Sequence, residues 1–197
     1  MTSDKIVRLE ELEQRANKLR ATGKRIVATN GCFDLLHVGH IRYLSAARAL
    51  GDALIVGING DQSVRELKGA GRPVTSESDR AEIVAALECV DLVTIFPEVR
   101  ATRFLELASP HVYVKGGDYN QDTLNAEERQ VLQKIGAKID IVPFERGYST
   151  SNLLARINKI KKSSRLVLEF LDREKDQIAA PFWKAFAPER CLPKPAS

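Results

Sequence analysis

The sequence predicts an α/β fold: a Rossmann-like open five-stranded parallel sheet with helices on both faces, plus a helical C-terminal tail. Three observations predict it. Short apolar runs alternate with amphipathic stretches, the pattern of βαβ units that pair into a parallel sheet. The first apolar run, Arg25-Ile26-Val27-Ala28-Thr29, leads through a glycine turn into a helical stretch, as at a ligand-binding strand end. The length, 197 residues, is enough to bury a full core without disulfides or metals.

The elements follow in order. Leu9, Leu12, Ala16 and Leu19 recur at spacings of three and four, which predicts a helix over 6–21, stopped at Gly23. Strands are expected at Arg25–Thr29, Ala53–Ile58, Leu92–Phe96, His111–Val114 and Lys138–Val142. Helices are expected near 40–50, 61–67, 78–88, 99–108, 125–135 and 151–161. Crossovers in such a sheet are right-handed, and ligands bind beyond the carboxyl ends of the strands near the point where strand order reverses. The loops after the strands, 29–40, 59–62, 96–98, 115–120 and 143–150, are therefore the places to look for function.

The composition shifts after Lys161-Lys162-Ser163-Ser164, which divides the chain into a domain over 1–162 and an extension over 163–197. The extension carries Leu166, Val167, Phe170, Trp183 and Phe186, and is broken by Pro181, Pro188, Pro193 and Pro195. It is expected to be partly helical. Packing on its own domain and contact with a partner are the two readings of its apolar residues.

Bulk charge is modest, 30 Lys and Arg against 26 Asp and Glu, a formal +4. That balance argues against nucleic acid as a partner and accommodates a polyphosphate. Cys32, Cys89 and Cys191 are odd in number and widely spaced, so neither a zinc site nor a disulfide framework is indicated, and a reducing cytoplasm is expected. The N-terminus lacks the apolar core of a signal peptide, and no run approaches the length of a membrane span.

The loop Thr29-Asn30-Gly31-Cys32-Phe33-Asp34-Leu35-Leu36-His37-Val38-Gly39-His40 carries two of the three histidines. Asn30-Gly31 permits a sharp turn whose amides, with those of the next helix start, can face anionic oxygens. His37 and His40, three apart, share a face of the first helical turn and can donate to phosphate oxygens. A metal site is the alternative, although HxxH lacks the glutamate of HExxH; an ordinary pair of structural histidines is the other. Gly39 weakens a helix, which suits close approach of a ligand to the backbone.

Other loops offer further groups. Lys68-Gly69-Ala70-Gly71-Arg72-Pro73 is basic and glycine-rich, able to fold over an anion with Lys68 and Arg72, or to be a solvated loop. Arg80 opens the next helix, where a cation is unfavourable unless an anion is bound. Lys115-Gly116-Gly117-Asp118, after the fourth strand, can line a sugar or base, or simply turn the chain. Asn59-Gly60-Asp61 has the same two readings, with Asp61 as a helix cap. Ser149, Thr150 and Ser151 open the last helix, more hydroxyls than capping requires, and suit a second phosphate contact.

Taken together, Asn30-Gly31-Cys32-Phe33-Asp34 with His37-Val38-Gly39-His40, and Ser149-Thr150-Ser151 further on, resemble the two signatures of the cytidylyltransferase-like nucleotidyltransferases. The resemblance covers about 5–160 and not the tail. Val114-Lys115-Gly116-Gly117-Asp118-Tyr119, Leu67-Lys68-Gly69 and Ala86-Leu87-Glu88-Cys89-Val90-Asp91 look like the adenylyltransferases of ADP-heptose synthesis within that family. Two positions depart from it: Gly60 stands where relatives usually have serine, and Gly147-Tyr148 precedes the second signature.

The resemblance implies transfer of AMP from ATP to a heptose 1-phosphate by in-line attack on the α-phosphorus. It implies that His37, His40 and Lys68 are catalytic, and that Thr29, Asn30, Gly31, Cys32, Phe33, Gly39, Arg80, Ser149, Thr150 and Ser151 hold the nucleotide and its phosphates. Asp34, Asn59, Asp61, Arg72, Lys115, Gly116, Gly117 and Asp118 are the substrate-binding set. Magnesium is expected to be carried mainly by phosphate oxygens, without a protein ligand. A homodimer is expected, with a separate heptose-phosphate kinase elsewhere in the pathway. The rivals are a cytidylyltransferase acting on a polyol or aminoalcohol phosphate, and a nucleotide-binding module without catalysis.

Overall fold

The first helix shows how sequence and neighbours share control of the structure, a computed structural model that describes residues 2–117, 124–143, 150 and 152–160. Helix α1 runs over Leu9–Ala21 and buries Leu9, Leu12 and Ala16, the stripe its periodicity predicts. It begins later than the expected residue 6. Ile6 forms a parallel bridge to Val93, and the Val7 N–H donates to the Val93 carbonyl at 2.9 Å. An apolar pair beside an exposed strand edge gains more from covering that edge than from a further half-turn of helix.

Five strands form one parallel sheet: β1 (Ile26–Gly31), β2 (Ala53–Asn59), β3 (Leu92–Phe96), β4 (Val112–Gly116) and β5 (Lys138–Val142), in the order β3-β2-β1-β4-β5. The helices are α2 (Val38–Arg48), α3 (Asp61–Lys68), α4 (Glu77–Ala85), α5 (Thr102–Ala108) and α6 (Ala126–Lys134). The strands and helices expected up to residue 135 and the fifth strand are present, β3 and β5 with the expected ends and the others with ends shifted by up to three residues. The largest consequence is at β1, which continues past Thr29 because Asn30 and Gly31 keep pairing with Gly57 and Ile58 of β2.

The core lies on both sheet faces. Ile26, Ala28, Ile55, Phe96 and Tyr113 pack with α1, α5 and α6; Val27, Leu54, Val56, Ile58 and Val114 pack with α2 and α4. Successive residues of one strand thus serve opposite layers, which is why the strands read as unbroken apolar runs. Gly57 lets α5 approach the sheet: a Cβ there would lie 3.0 Å from three atoms of the Phe104 ring.

The described residues fall into two units, within Met1–Thr150 and Ser151–Ser197. The sheet and α1–α6 belong to the first. In the second, residues 152–160 are helical, as the sequence predicts. The expected extension over 163–197 lies outside the described residues, as do Asp118, Ser149 and Ser151. Among the described residues no helix is long and apolar enough to cross a membrane.

Gly57→Ala should overpack the β2–α5 contact and lower stability by about 1–3 kcal/mol, measured by urea unfolding; an unchanged midpoint would show that Phe104 yields freely.

Candidate functional site

Strands β1 and β4 pair only at Val27↔Val112 and Ala28↔Tyr113. Beyond these residues β1 stays with β2 as far as Gly31↔Ile58, and β4 stays with β5 as far as Gly116↔Val142. The sheet therefore parts at its carboxyl end between β1 and β4, where the strand order reverses. Side chains span the parting. The Tyr43 hydroxyl, from α2, donates to the Val114 carbonyl at 3.0 Å and so accepts from Thr29 Oγ1 at 2.6 Å. Asn30 Oδ1 accepts from the Tyr113 hydroxyl at 2.5 Å and from Lys115 Nζ at 3.0 Å. Burial pushes the Tyr43 phenol well above its usual range and the Lys115 ammonium below its own, Glu128 partly opposing the latter.

Above this parting stands the N-terminus of α2. His37 is its N-cap in extended conformation, and the His37 N–H donates to His40 Nδ1 at 3.4 Å. The two rings stack with centroids 3.9 Å apart. Burial, and secondarily His37, lower the His40 pKa to about 4; burial also lowers that of His37. Both rings are neutral at neutral pH. With Nδ1 accepting, the His40 proton sits on Nε2, making that atom a hydrogen-bond donor. Phe33, at φ +46°, holds a left-handed backbone costly for its type and lays its ring 5.5 Å from His40.

The intervening loop is tied down by two charged brackets. Arg80 is buried and donates to the carbonyls of Cys32 (2.5 Å), Asn59 (2.8 Å) and Thr75 (3.2 Å), and to Asp61 Oδ1 (2.8 Å). It therefore joins the ends of β1 and β2 to the starts of α3 and α4. Buried Asp34 accepts from the amides of Val74 (2.7 Å) and Thr75 (3.2 Å) and pairs with Arg72 Nε at 2.5 Å. Gly69 and Gly71 both have positive φ, so the segment between α3 and this anchor depends on glycine. The Cys32 thiol, raised by burial, feels Lys68, Arg80 and Arg72 as opposing cations, so these groups share one neighbourhood. Finally, the Thr150 hydroxyl donates to the Leu35 carbonyl at 3.2 Å, bringing the far end of this unit against the loop before His37.

Comparison with known proteins places the chain in a family. The profile of the cytidylyltransferase-like family matches residues 28–185, which extends beyond the expected limit of 160. The chain belongs to the cytidylyltransferase-like family. With the family goes the enzyme class, a nucleotidyltransferase. The chain is 48% identical over 153 residues to the bifunctional protein HldE of Geotalea uraniireducens, covering 78% of this chain and 31% of that one. It is 49% identical over 154 residues to the bifunctional protein HldE of Aliarcobacter butzleri, again covering 78% and 31%. The chain thus spans about a third of these relatives' length.

Among solved structures, the lipopolysaccharide core biosynthesis protein of Thermoplasma volcanium superposes with a TM-score of 0.53 at 27% identity. The match covers 64% of this chain and all of that one. Pantoate-beta-alanine ligase of Francisella tularensis shares the fold, with a TM-score of 0.52 at 17% identity over 72% of this chain and 67% of its own.

Within the cytidylyltransferase-like framework the expected residues divide. His37, His40, Gly39, Asn30, Gly31, Cys32, Phe33 and Lys115 gather around the parting and the α2 start, with Gly116 and Gly117 at the end of β4. Thr29 is fully buried, its hydroxyl committed to Tyr43. Arg80 does not open its helix: α4 starts at Glu77, Ser76 caps it, and Arg80 lies in the second turn. Asn59, Asp61 and Asp34 are likewise engaged with the protein's own groups. Composition and motif gave no signal for Tyr43, Tyr113 and Glu128, because each looks like an ordinary helix or strand residue until its partner is known.

The neutral state of His40 is tied to folding, because its folded pKa is near 4 against an ordinary 6.5. The stability it confers is complete above about pH 6.5 and is lost as pH falls toward 4. His40→Asn should flatten the fall in melting temperature across that window; a parallel curve would contradict it. Arg80→Met leaves the buried bond to the Asn59 carbonyl and the part-buried bonds to the Cys32 and Thr75 carbonyls unmade, and should cost about 1–3 kcal/mol in chemical unfolding; an unchanged midpoint would contradict it.

Proposed function

We propose that this chain transfers AMP from ATP to a sugar 1-phosphate, a heptose 1-phosphate, giving ADP-heptose and pyrophosphate. The observation that carries this reading is the meeting of two distant signatures at one helix start. Thr150 is hydrogen-bonded to Leu35, two residues before the stacked His37 and His40, at the parting of the sheet. The similarity to bifunctional HldE proteins supports the sugar and the base.

The sugar phosphate oxygen attacks the α-phosphorus in line and pyrophosphate leaves. No covalent intermediate on the protein is needed, so the chain acts by positioning and by stabilising charge. Neutral His40 donates from Nε2 and His37 from its own ring to oxygens that gain charge in the transition state. The amides at the α2 start and around Asn30–Phe33 cradle the α-phosphate. Lys68 and Arg72 reach the departing or incoming phosphates; Asp34 holds Arg72 in place. Ser149, Thr150 and Ser151 contact the outer phosphates, and Gly116, Gly117 and Asp118 line the nucleoside and sugar.

Magnesium fits this site as a companion of the nucleotide. Asp34, Asp61 and Glu128, the buried or half-buried carboxylates near the parting, are engaged with Arg72, Arg80 and the α5 start, so phosphate oxygens would carry the ion. When bound it supplies neutralisation of triphosphate charge. The proposal includes a homodimer in the cytoplasm and a kinase acting earlier on the same sugar.

Pyrophosphate release should require ATP and heptose 1-phosphate together; preference for CTP would replace this reading with the cytidylyltransferase one. His37→Ala and His40→Ala should each lower turnover by roughly 10²–10³, as for loss of one oxyanion donor; normal turnover in either would refute its transition-state role, and a parent that binds ATP without turning it over would be a binding module. Lys68→Ala should raise the KM of a phosphate substrate, and an unchanged KM would remove Lys68 from the site.

A further inference from the structure

The parting between β1 and β4 is spanned by a chain of side chains whose last member no motif includes. Asn30 Oδ1 receives two donors, the Tyr113 hydroxyl and Lys115 Nζ. Two donors on one oxygen fix which way the amide faces, and its NH2 makes no hydrogen bond among the described residues. The Lys115 side chain is 14% exposed, its ammonium 5.3 Å from the centre of the Tyr113 ring and 4.0 Å from Glu128 Oε2. Glu128, on α6 and itself only 6% exposed, uses Oε1 to accept the Ala101 N–H at the start of α5 at 3.0 Å. One carboxylate thus anchors a helix end with one oxygen and faces a largely buried ammonium with the other.

We propose that Glu128 is a positioning residue for phosphate binding: it keeps Lys115 charged and seated against Asn30 across the open end of the sheet. The inference rests on the reading that phosphates bind at this parting, and it assigns part of their affinity to a residue outside every signature.

The electrostatics are consistent with the geometry. A buried ammonium loses its proton readily unless a carboxylate faces it. The groups that face Lys115 among the described residues are Glu128 from α6, the Cys32 thiol from the loop after β1, neutral Asn30 from β1, and the Tyr113 ring on its own strand. Glu128 supplies the carboxylate in that set.

Glu128→Gln separates the two tasks, because the amide oxygen still accepts the Ala101 N–H while the charge is gone. Its melting temperature should stay close to that of the parent. In protein carrying ¹³C-labelled lysine, the Lys115 side chain should titrate about one unit lower in the variant. Inorganic pyrophosphate, measured by calorimetry without turnover, should bind about ten-fold more weakly. In a Lys115→Met background the Glu128→Gln change should have no further effect. An unmoved Lys115 titration, unchanged pyrophosphate binding, or an equal loss in the Lys115→Met background would each overturn the proposal. Should glutamine unfold the chain, Glu128→Asp keeps the charge but draws the carboxylate back from Lys115 by one methylene, and should weaken pyrophosphate binding in the same direction, with no further effect in the Lys115→Met background. Failure of the parent to turn over ATP with any sugar phosphate would refute the proposed reaction and leave pyrophosphate binding to judge Glu128.

Discussion

The separation of β1 from β4 beyond Ala28 and Tyr113 is the constraint around which the rest of this molecule is arranged. In a doubly wound sheet the two central strands send their following helices to opposite faces. The backbone groups at their carboxyl ends then lose their ladder partners. Something must satisfy those groups or leave room for a ligand that does. Here Tyr43 takes the Val114 carbonyl, and Asn30 receives Tyr113 and Lys115. The α2 start, with both histidines, sits over what remains open.

Charge around this opening is arranged with the same economy. Among the described residues, cations near the loop face carboxylates: Arg72 faces Asp34, Arg80 faces Asp61, and Lys115 faces Glu128. Lys68, which also acts on the Cys32 thiol, has no such carboxylate in the ion pairs of the described residues. The neutral histidines add donors without adding repulsion between two stacked rings. A polyanion entering this site meets oriented donors and a net positive surround, which suits phosphoryl chemistry more than metal ligation by imidazole.

The strands were legible because burial on both faces leaves an unbroken apolar run. The first helix was legible because a stripe at spacings of three and four has one meaning. The meeting of His37 and His40 at one helix start was legible because a spacing of three brings side chains together on a first helical turn. Arg80 was misplaced at a helix start for a local reason. Its helix begins three residues earlier, at Glu77 behind the Ser76 cap, and its four hydrogen bonds reach segments 5 to 48 residues away. Ile6 and Val7 read as helix because no pattern within the first twenty residues reveals that β3 is the edge strand beside them.

Local sequence decides what needs only near neighbours: the periodicity of each element, the glycine turn after α3, and the residue types at the α2 start. These are set by backbone sterics and by the apolar spacing each element must present; the turn expected at Asn30-Gly31 is an exception, since both residues stay paired in β1 and the left-handed residue is Phe33. Strand order, the parting of β1 from β4, the pairing of Lys115 with Glu128 and the contact of Thr150 with Leu35 join residues 13 to 115 positions apart. No local preference encodes such pairs. They exist because two-sided burial of the sheet fixes which elements lie side by side, and the buried polar groups then take the partners that this packing brings within reach.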